Sequence, residues 1–154
     1  MSHVLLLALL IGIVAGLRSL TAPALVAWAA HLGWLNLTGT PLAFMGSTVA
    51  VGIFTLLAIA ELIGDVLPKT PARTTAIPLI ARLVTGGLCG ACLYANAGQT
   101  LAVGAVGGIL GAVIGTYGGY HIRHALVNGL KVKDILIAIP EDIVAIALAY
   151  WIVR

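Results

Sequence analysis

The 154-residue chain is 61% hydrophobic and only 8% charged, with a mean hydropathy of +1.14. Eight Lys and Arg and five Asp and Glu cannot form the polar shell of a soluble domain, which is about 25% charged. The net charge of +3 is too small to argue for a nucleic-acid partner, so the expected surroundings are a lipid bilayer.

The length fits one domain, residues 1–154. At roughly 20 apolar residues per spanning helix, about four to six spans fit. Helix one is expected from Val4 to Leu17. A signal-peptide core followed by Thr21-Ala-Pro-Ala24 is the alternative, but no Lys or Arg precedes the apolar run and apolar character resumes after Arg18. Arg18-Ser-Leu-Thr-Ala-Pro23 then breaks the helix. Ala24–Trp34 is apolar but too short to span, so it reads as a half-helix dipping into the membrane or the lower half of a kinked first span. Residues 35–41 form a turn punctuated by Gly39 and Pro41, and Trp28 and Trp34 suit a membrane interface.

Helix two is expected over 42–67, with Pro68 ending it and a polar loop over 69–78. Helix three is expected over 79–97 and a tight turn over 96–100. Helix four is expected over 101–120, followed by a polar connection compatible with helix over 121–133. Helix five is expected over 134–153, interrupted by Pro140. With five spans, a cytoplasmic N-terminus puts Lys69, Arg73, Arg82, Arg123, Lys131 and Lys133 inside, against Arg18 and Arg154 outside. The positive-inside rule therefore places the N-terminus in the cytoplasm and the C-terminus outside. The fold read this way is an all-α, polytopic transmembrane helical bundle of about five spans with broken or re-entrant segments.

Two segments echo each other. Gly12-Ile-Val-Ala-Gly16 is similar to Gly111-Ala-Val-Ile-Gly115, and Leu57-Ala-Ile-Ala-Glu61 to Ile137-Ala-Ile-Pro-Glu141. The pattern suggests half-repeats over 1–70 and 99–154, joined by the helix at 79–97. An odd number of spans between them would invert the second half, a recurrent design in secondary transporters.

The residues with chemistry to offer are acids inside apolar helices. A charged acid at mid-membrane costs about 2.5–3.5 kcal/mol on insertion scales, so Glu61 must face protein or water, pair with a cation or carry a proton. Asp65 lies one turn later on the same face. Glu141 and Asp142 lie a third of the way into helix five, beside Pro140, which frees a backbone carbonyl. One reading makes Glu61, Asp65, Glu141 and Asp142 a substrate- or ion-binding site. The other pairs them with Arg18, Arg82 or Arg123 to hold the bundle together, or leaves Asp65 and Asp142 at headgroup level. Arg18, beside Ser19, Thr21 and Pro23, suits an anionic headgroup or carboxylate, or it snorkels to the interface. His121 and His124, three residues apart, are weak metal candidates; a solvated loop is the stronger reading.

The glycines of helix four, Gly104, Gly108, Gly111 and Gly115, recur at three- or four-residue spacing, as do Gly12 and Gly16 of helix one. This spacing lets helix backbones approach closely. Helix one against helix four is the expected contact, with a homodimer contact as its rival. Cys89 and Cys92 form a C-x-x-C pair within an apolar run. They are read as small residues at a helix contact rather than as a redox pair.

Gly16-Leu-Arg-Ser-Leu-Thr-Ala-Pro23, Glu61-Leu-Ile-Gly-Asp-Val-Leu-Pro-Lys-Thr-Pro71 and Arg73 resemble a family of small bacterial inner-membrane proteins of unknown function. The resemblance implies a bacterial inner-membrane location and a polytopic fold, and supplies no activity. No nucleotide-binding loop or hydrolase triad is present, so no cofactor is expected. The residues point first to a small transporter or channel for a small cation or a proton-coupled solute, acting as a homodimer. A non-transporting scaffold or accessory subunit is the alternative, and a metal-dependent, lipid-active membrane enzyme a more distant one.

Overall fold

The computed structural model describes residues 2–65, 76–130 and 134–153. Among them every regular element is helical: α1 (Ser2–Leu17), α2 (Thr21–His31), a 3-10 turn (Ala43–Gly46), α3 (Thr48–Asp65), α4 (Ala76–Asn96), α5 (Leu101–Leu130) and α6 (Asp134–Val153). Pro68, Lys69, Arg73, Lys131, Lys133 and Arg154 lie outside the described residues, as does the side chain of Asp65.

Local chemistry sets the boundaries. Pro23 lacks an N–H and clashes with a preceding helical turn, which disfavours running α1 on through it. In the first turn of α2 the missing donor costs nothing. The ends of α2 and α4 share one device. Gly33 and Gly98 adopt φ values of 85° and 69°, the left-handed conformation that glycine enters without penalty. The following amides of Trp34 and Gln99 then donate back to the carbonyls of Ala29 and Tyr94, at 2.8 and 2.9 Å. Ser47 is extended, and its hydroxyl accepts from the Ala50 amide at 3.1 Å. That cap starts α3 at Thr48, not at Leu42 as the apolar run suggests. Residues 121–130 continue α5 rather than forming a separate polar connection, and α6 passes through Pro140 without ending.

The broken segment after α1 is a helix of its own that runs back antiparallel to α1. Its start lies beside Glu61, while Trp34 and Leu35 just beyond its end line a cavity with His3, Val4 and Leu7. Trp28 Nε1 donates to Thr55 of α3 at 2.9 Å, so α2 and α3 are antiparallel too. The six described α-helices alternate in direction, the second of them being the segment that the sequence left as a dip or a half-span. Two expectations change with this count. His3 and Val4 line one cavity with Ile152 and Val153, so the chain's two described ends share one end of the bundle instead of opposite ends. And α1 runs parallel to α5, because Leu5 meets Gly107, Gly12 meets Gly108 and Gly16 meets Thr116. An inverted repeat requires those two helices to oppose each other, as α3 and α6 do; no single two-fold relates both pairs.

The centre is a three-helix contact made by glycine. A Cβ on Gly12 would overlap the Gly108 carbonyl oxygen, and one on Gly16 the Ala112 carbonyl oxygen. A Cβ on Gly86 of α4 would lie 2.7 Å from that same Gly108 oxygen. Gly104 faces Gly90, and Gly111 and Gly115 face the carbonyls of Leu9 and Ile13. Side chains cannot fit there, so the backbones of α1, α4 and α5 touch. The buried faces of α2 and the 3-10 turn close the core around Val14, Val26, Met45, Cys89 and Cys92.

The exterior is apolar. Val49, Leu56, Ile77 and Trp151 are each at least 66% exposed. Two helices, Ile77–Asn96 and Leu101–Leu130, are long and apolar enough to cross a membrane, while His3–Leu17 and Thr48–Ile63 are apolar but shorter.

Candidate functional site

Charged side chains collect at the end of the bundle away from His3 and Val153, around the break between α1 and α2. The break itself creates the need. Backbone donors and acceptors at the end of α1 and the start of α2 have no intrahelical partners, and they are enclosed by α3, α4, α5 and α6.

Glu61 of α3 answers the donors. Its Oε1 accepts from the Ser19 amide and the Ser19 hydroxyl, both at 2.9 Å, and its Oε2 accepts from the Leu20 amide at 2.8 Å. A carboxylate at a helix N-terminus is favoured by the orphan amides and by the helix dipole together. Glu61 thus caps α2 from 42 positions away in sequence, and its side chain is 14% exposed.

Arg82 of α4 answers an acceptor. It donates through Nη1 to the Gly16 carbonyl at 2.5 Å, and its Nη2 lies 4.0 Å from Glu61 Oε1. The Thr116 hydroxyl of α5 approaches the same Gly16 carbonyl at 3.4 Å. Arg82 therefore spans the gap between the end of α1 and the carboxylate that starts α2.

Arg18, in the break itself, is 1% exposed and pairs with Asp142 of α6. The adjacent Glu141 takes Arg123 of α5 at 3.4 Å. Three guanidinium groups thus meet three carboxylates, with the arginines Arg18 and Arg82 deeper than the acids facing them. Burying such pairs is tolerable only when each charge is matched and hydrogen-bonded.

Of the residues singled out from sequence, Glu61, Glu141, Asp142 and Arg18 come together at this end. Asp65 closes α3 there, but its side chain is outside the described set. The glycines Gly12, Gly16, Gly104, Gly108, Gly111 and Gly115 lie in the contact above the cluster. His121 and His124 do not join it. Both are exposed on the last turns of α5, where Tyr120 stacks on His124 with centroids 6.0 Å apart and Asn128 Nδ2 lies 2.9 Å from His124 Nε2. Among the described residues no three His, Cys, Asp or Glu side chains gather as a metal site. Cys89 and Cys92 are buried free thiols in the core. Arg82 and Arg123 entered the sequence reading as charges for the topology count and as partners for the acids, not as site residues. Ser19 was legible only as part of the break. Thr116 was missed, though its place four residues after Ala112 and eight after Gly108, on the face toward α1, was a usable signal.

The family filed as "domain of unknown function (DUF4126)" matches residues 5–154, and the chain belongs to it. No curated protein and no solved structure matches the chain.

Proposed function

We propose that this protein is a small multi-pass transporter of the bacterial inner membrane that couples movement of a solute to protons through Glu61. One observation carries the reading. Glu61 is a largely enclosed carboxylate that holds the start of a short, reversed helix and faces Arg82. Short helices whose N-termini meet an enclosed charged group among apolar helices are parts from which transporter sites are made. A proton on Glu61 would remove the charge and half of the acceptor capacity that hold Ser19 and Leu20, which links protonation to the position of α2. A bare cation site fits less well, because Glu61, Glu141 and Asp142 each already face an arginine.

The apolar exterior and the two long helices support a membrane location. In sequence, Lys69 and Arg73 fall between α3 and α4 and Lys131 and Lys133 between α5 and α6, and the described end of α3, start of α4 and end of α5 lie at the cluster end. By the positive-inside rule that end faces the cytoplasm, and both termini face outward. A second copy of the chain would meet outer faces of α3, α5 or α6, since the glycine faces are filled within one chain.

The alternative is a non-transporting scaffold, and the same arginine–carboxylate pairs favour it. Purified protein in vesicles loaded with a pH-sensitive dye separates the two. Transport predicts that some solute in a panel of cations, neutral solutes and anions drives proton movement, and that Glu61→Gln abolishes it. Absence of such movement for every solute, with Glu61→Gln merely less stable, would leave the scaffold.

A further inference from the structure

The end of the bundle away from the charged cluster holds a cavity, and what it can bind is independent of the function proposed above. We infer that this cavity takes a small neutral amphipath, an alcohol whose apolar body is the size of one ring and whose hydroxyl meets His3 and Asn96.

The turns at Gly33 and Gly98 build the cavity. The Gly33 turn fixes Trp34 through its amide, which donates to the Ala29 carbonyl at 2.8 Å, and the indole packs edge-on against Tyr150 of α6 with centroids 5.7 Å apart. The Gly98 turn ends α4 at Asn96, beside Ala97. The Asn36 amide donates to Asn96 Oδ1 at 2.7 Å and ties the two turns together. The starting turns of α1 and the last turn of α6 complete the walls.

The space is about 240 Å³. A dry apolar cavity of about 150 Å³ accepts benzene, so one six-membered ring fits with room for a substituent. The walls are mostly apolar, and among the described residues no Asp, Glu, Lys or Arg lines them. An ion entering would give up water without meeting a counter-charge, so the ligand is neutral. Two polar side chains interrupt the apolar lining. With Oδ1 taken by Asn36, the Asn96 amide has its N–H donors to offer. His3 has no hydrogen-bond partner among the described residues, and its ring offers a donor and an acceptor. A hydroxyl both donates and accepts, so it serves both groups, whereas a hydrocarbon serves neither. Apolar walls with a few polar groups to orient the ligand are the common form of a small-molecule site.

The test uses the full chain in lipid nanodiscs, with Trp28→Phe and Trp151→Phe leaving Trp34 as the one tryptophan. Cyclohexanol is titrated against Trp34 emission, and methylcyclohexane is the probe of the same shape without the hydroxyl. Cyclohexanol is expected to change the emission saturably, and Ala97→Phe, which fills the cavity, to abolish the change. If Ala97→Phe does not fold, Ala97→Leu carries the same comparison. His3→Phe and Asn96→Asp should each weaken cyclohexanol about fivefold, the loss of one hydrogen bond, and leave methylcyclohexane unchanged. Asn96→Asp keeps the oxygen that accepts from Asn36, so the tie between the turns survives. A response to cyclohexanol that never saturates overturns the inference, as does one that persists in the filled variant. Cyclohexanol binding unchanged by both His3→Phe and Asn96→Asp overturns it too, because the cavity would then accept any apolar group, the end of a lipid chain included.

Discussion

Replacing Gly108 by alanine tests the central claim about how the bundle is held. Its new Cβ would overlap the Gly86 carbonyl oxygen, lie 2.7 Å from the Gly86 carbonyl carbon and 3.2 Å from the Gly87 Cα. Ordinary contact begins near 3.4 Å, so α4 and α5 must separate by about 0.7 Å or more to relieve the carbonyl carbon alone. The obstruction is backbone, which cannot rotate aside, and moving α4 also loosens Gly90 from Gly104. Overpacking of this kind costs about 1–3 kcal/mol, and the rigidity of the obstacle puts Gly108→Ala at the upper end. Gly118→Ala is the matched control. It sits on the same helix with nothing within 4 Å of its would-be Cβ, and alanine there gains up to about 1 kcal/mol of helix propensity. At about 2–4 °C per kcal/mol for a chain of this size, the two variants should differ in Tm by roughly ten degrees. A thiol-reactive dye reads the transition directly, because Cys89 and Cys92 are buried until the core opens. Equal melting temperatures for the two variants would refute the backbone contact between α4 and α5.

Glu61→Ala strips three hydrogen bonds from the start of α2 and should cost about 3 kcal/mol; Glu61→Gln, which keeps one acceptor oxygen, should lose less in the same denaturation. A double-mutant cycle on Arg123 and Glu141, 3.4 Å apart and mostly enclosed, should return a coupling of about 1 kcal/mol; additive single mutants would remove that pair from the cluster. Iodoacetamide should leave Cys89 and Cys92 unmodified in the folded protein and label both once it is unfolded, as mass spectrometry would show. Single cysteines placed at His3 and Trp151 should react together with an impermeant maleimide added outside intact cells. Labelling of only one would contradict the shared location of the chain's ends.

Much of the fold was legible because apolar length and glycine spacing are local properties. The limits of α1 and α4 follow from the first apolar run and from Asn96-Ala-Gly98, whose glycine can take the left-handed turn. The acids were legible as anomalies, since a carboxylate within an apolar helix demands a partner. The start of α3 was not, because a single serine cap outweighs five apolar residues. Nor was the length of α5, whose polar last turns have no breaker to end them.

The sequence by itself determined that the chain is a set of apolar helices, that a proline divides the first from the second, and that Glu61, Glu141, Asp142 and Arg18 need compensation. The tertiary structure decided everything that depends on direction. It made residues 21–31 a reversing helix and brought both ends of the chain together. It set α1 parallel to α5 and matched Glu61 to Ser19 and Arg82, Asp142 to Arg18, and Glu141 to Arg123. Apolar helices carry no arrow in their composition. Their direction comes from which backbones can touch and which charges must meet, and both are settled by residues far apart along the chain.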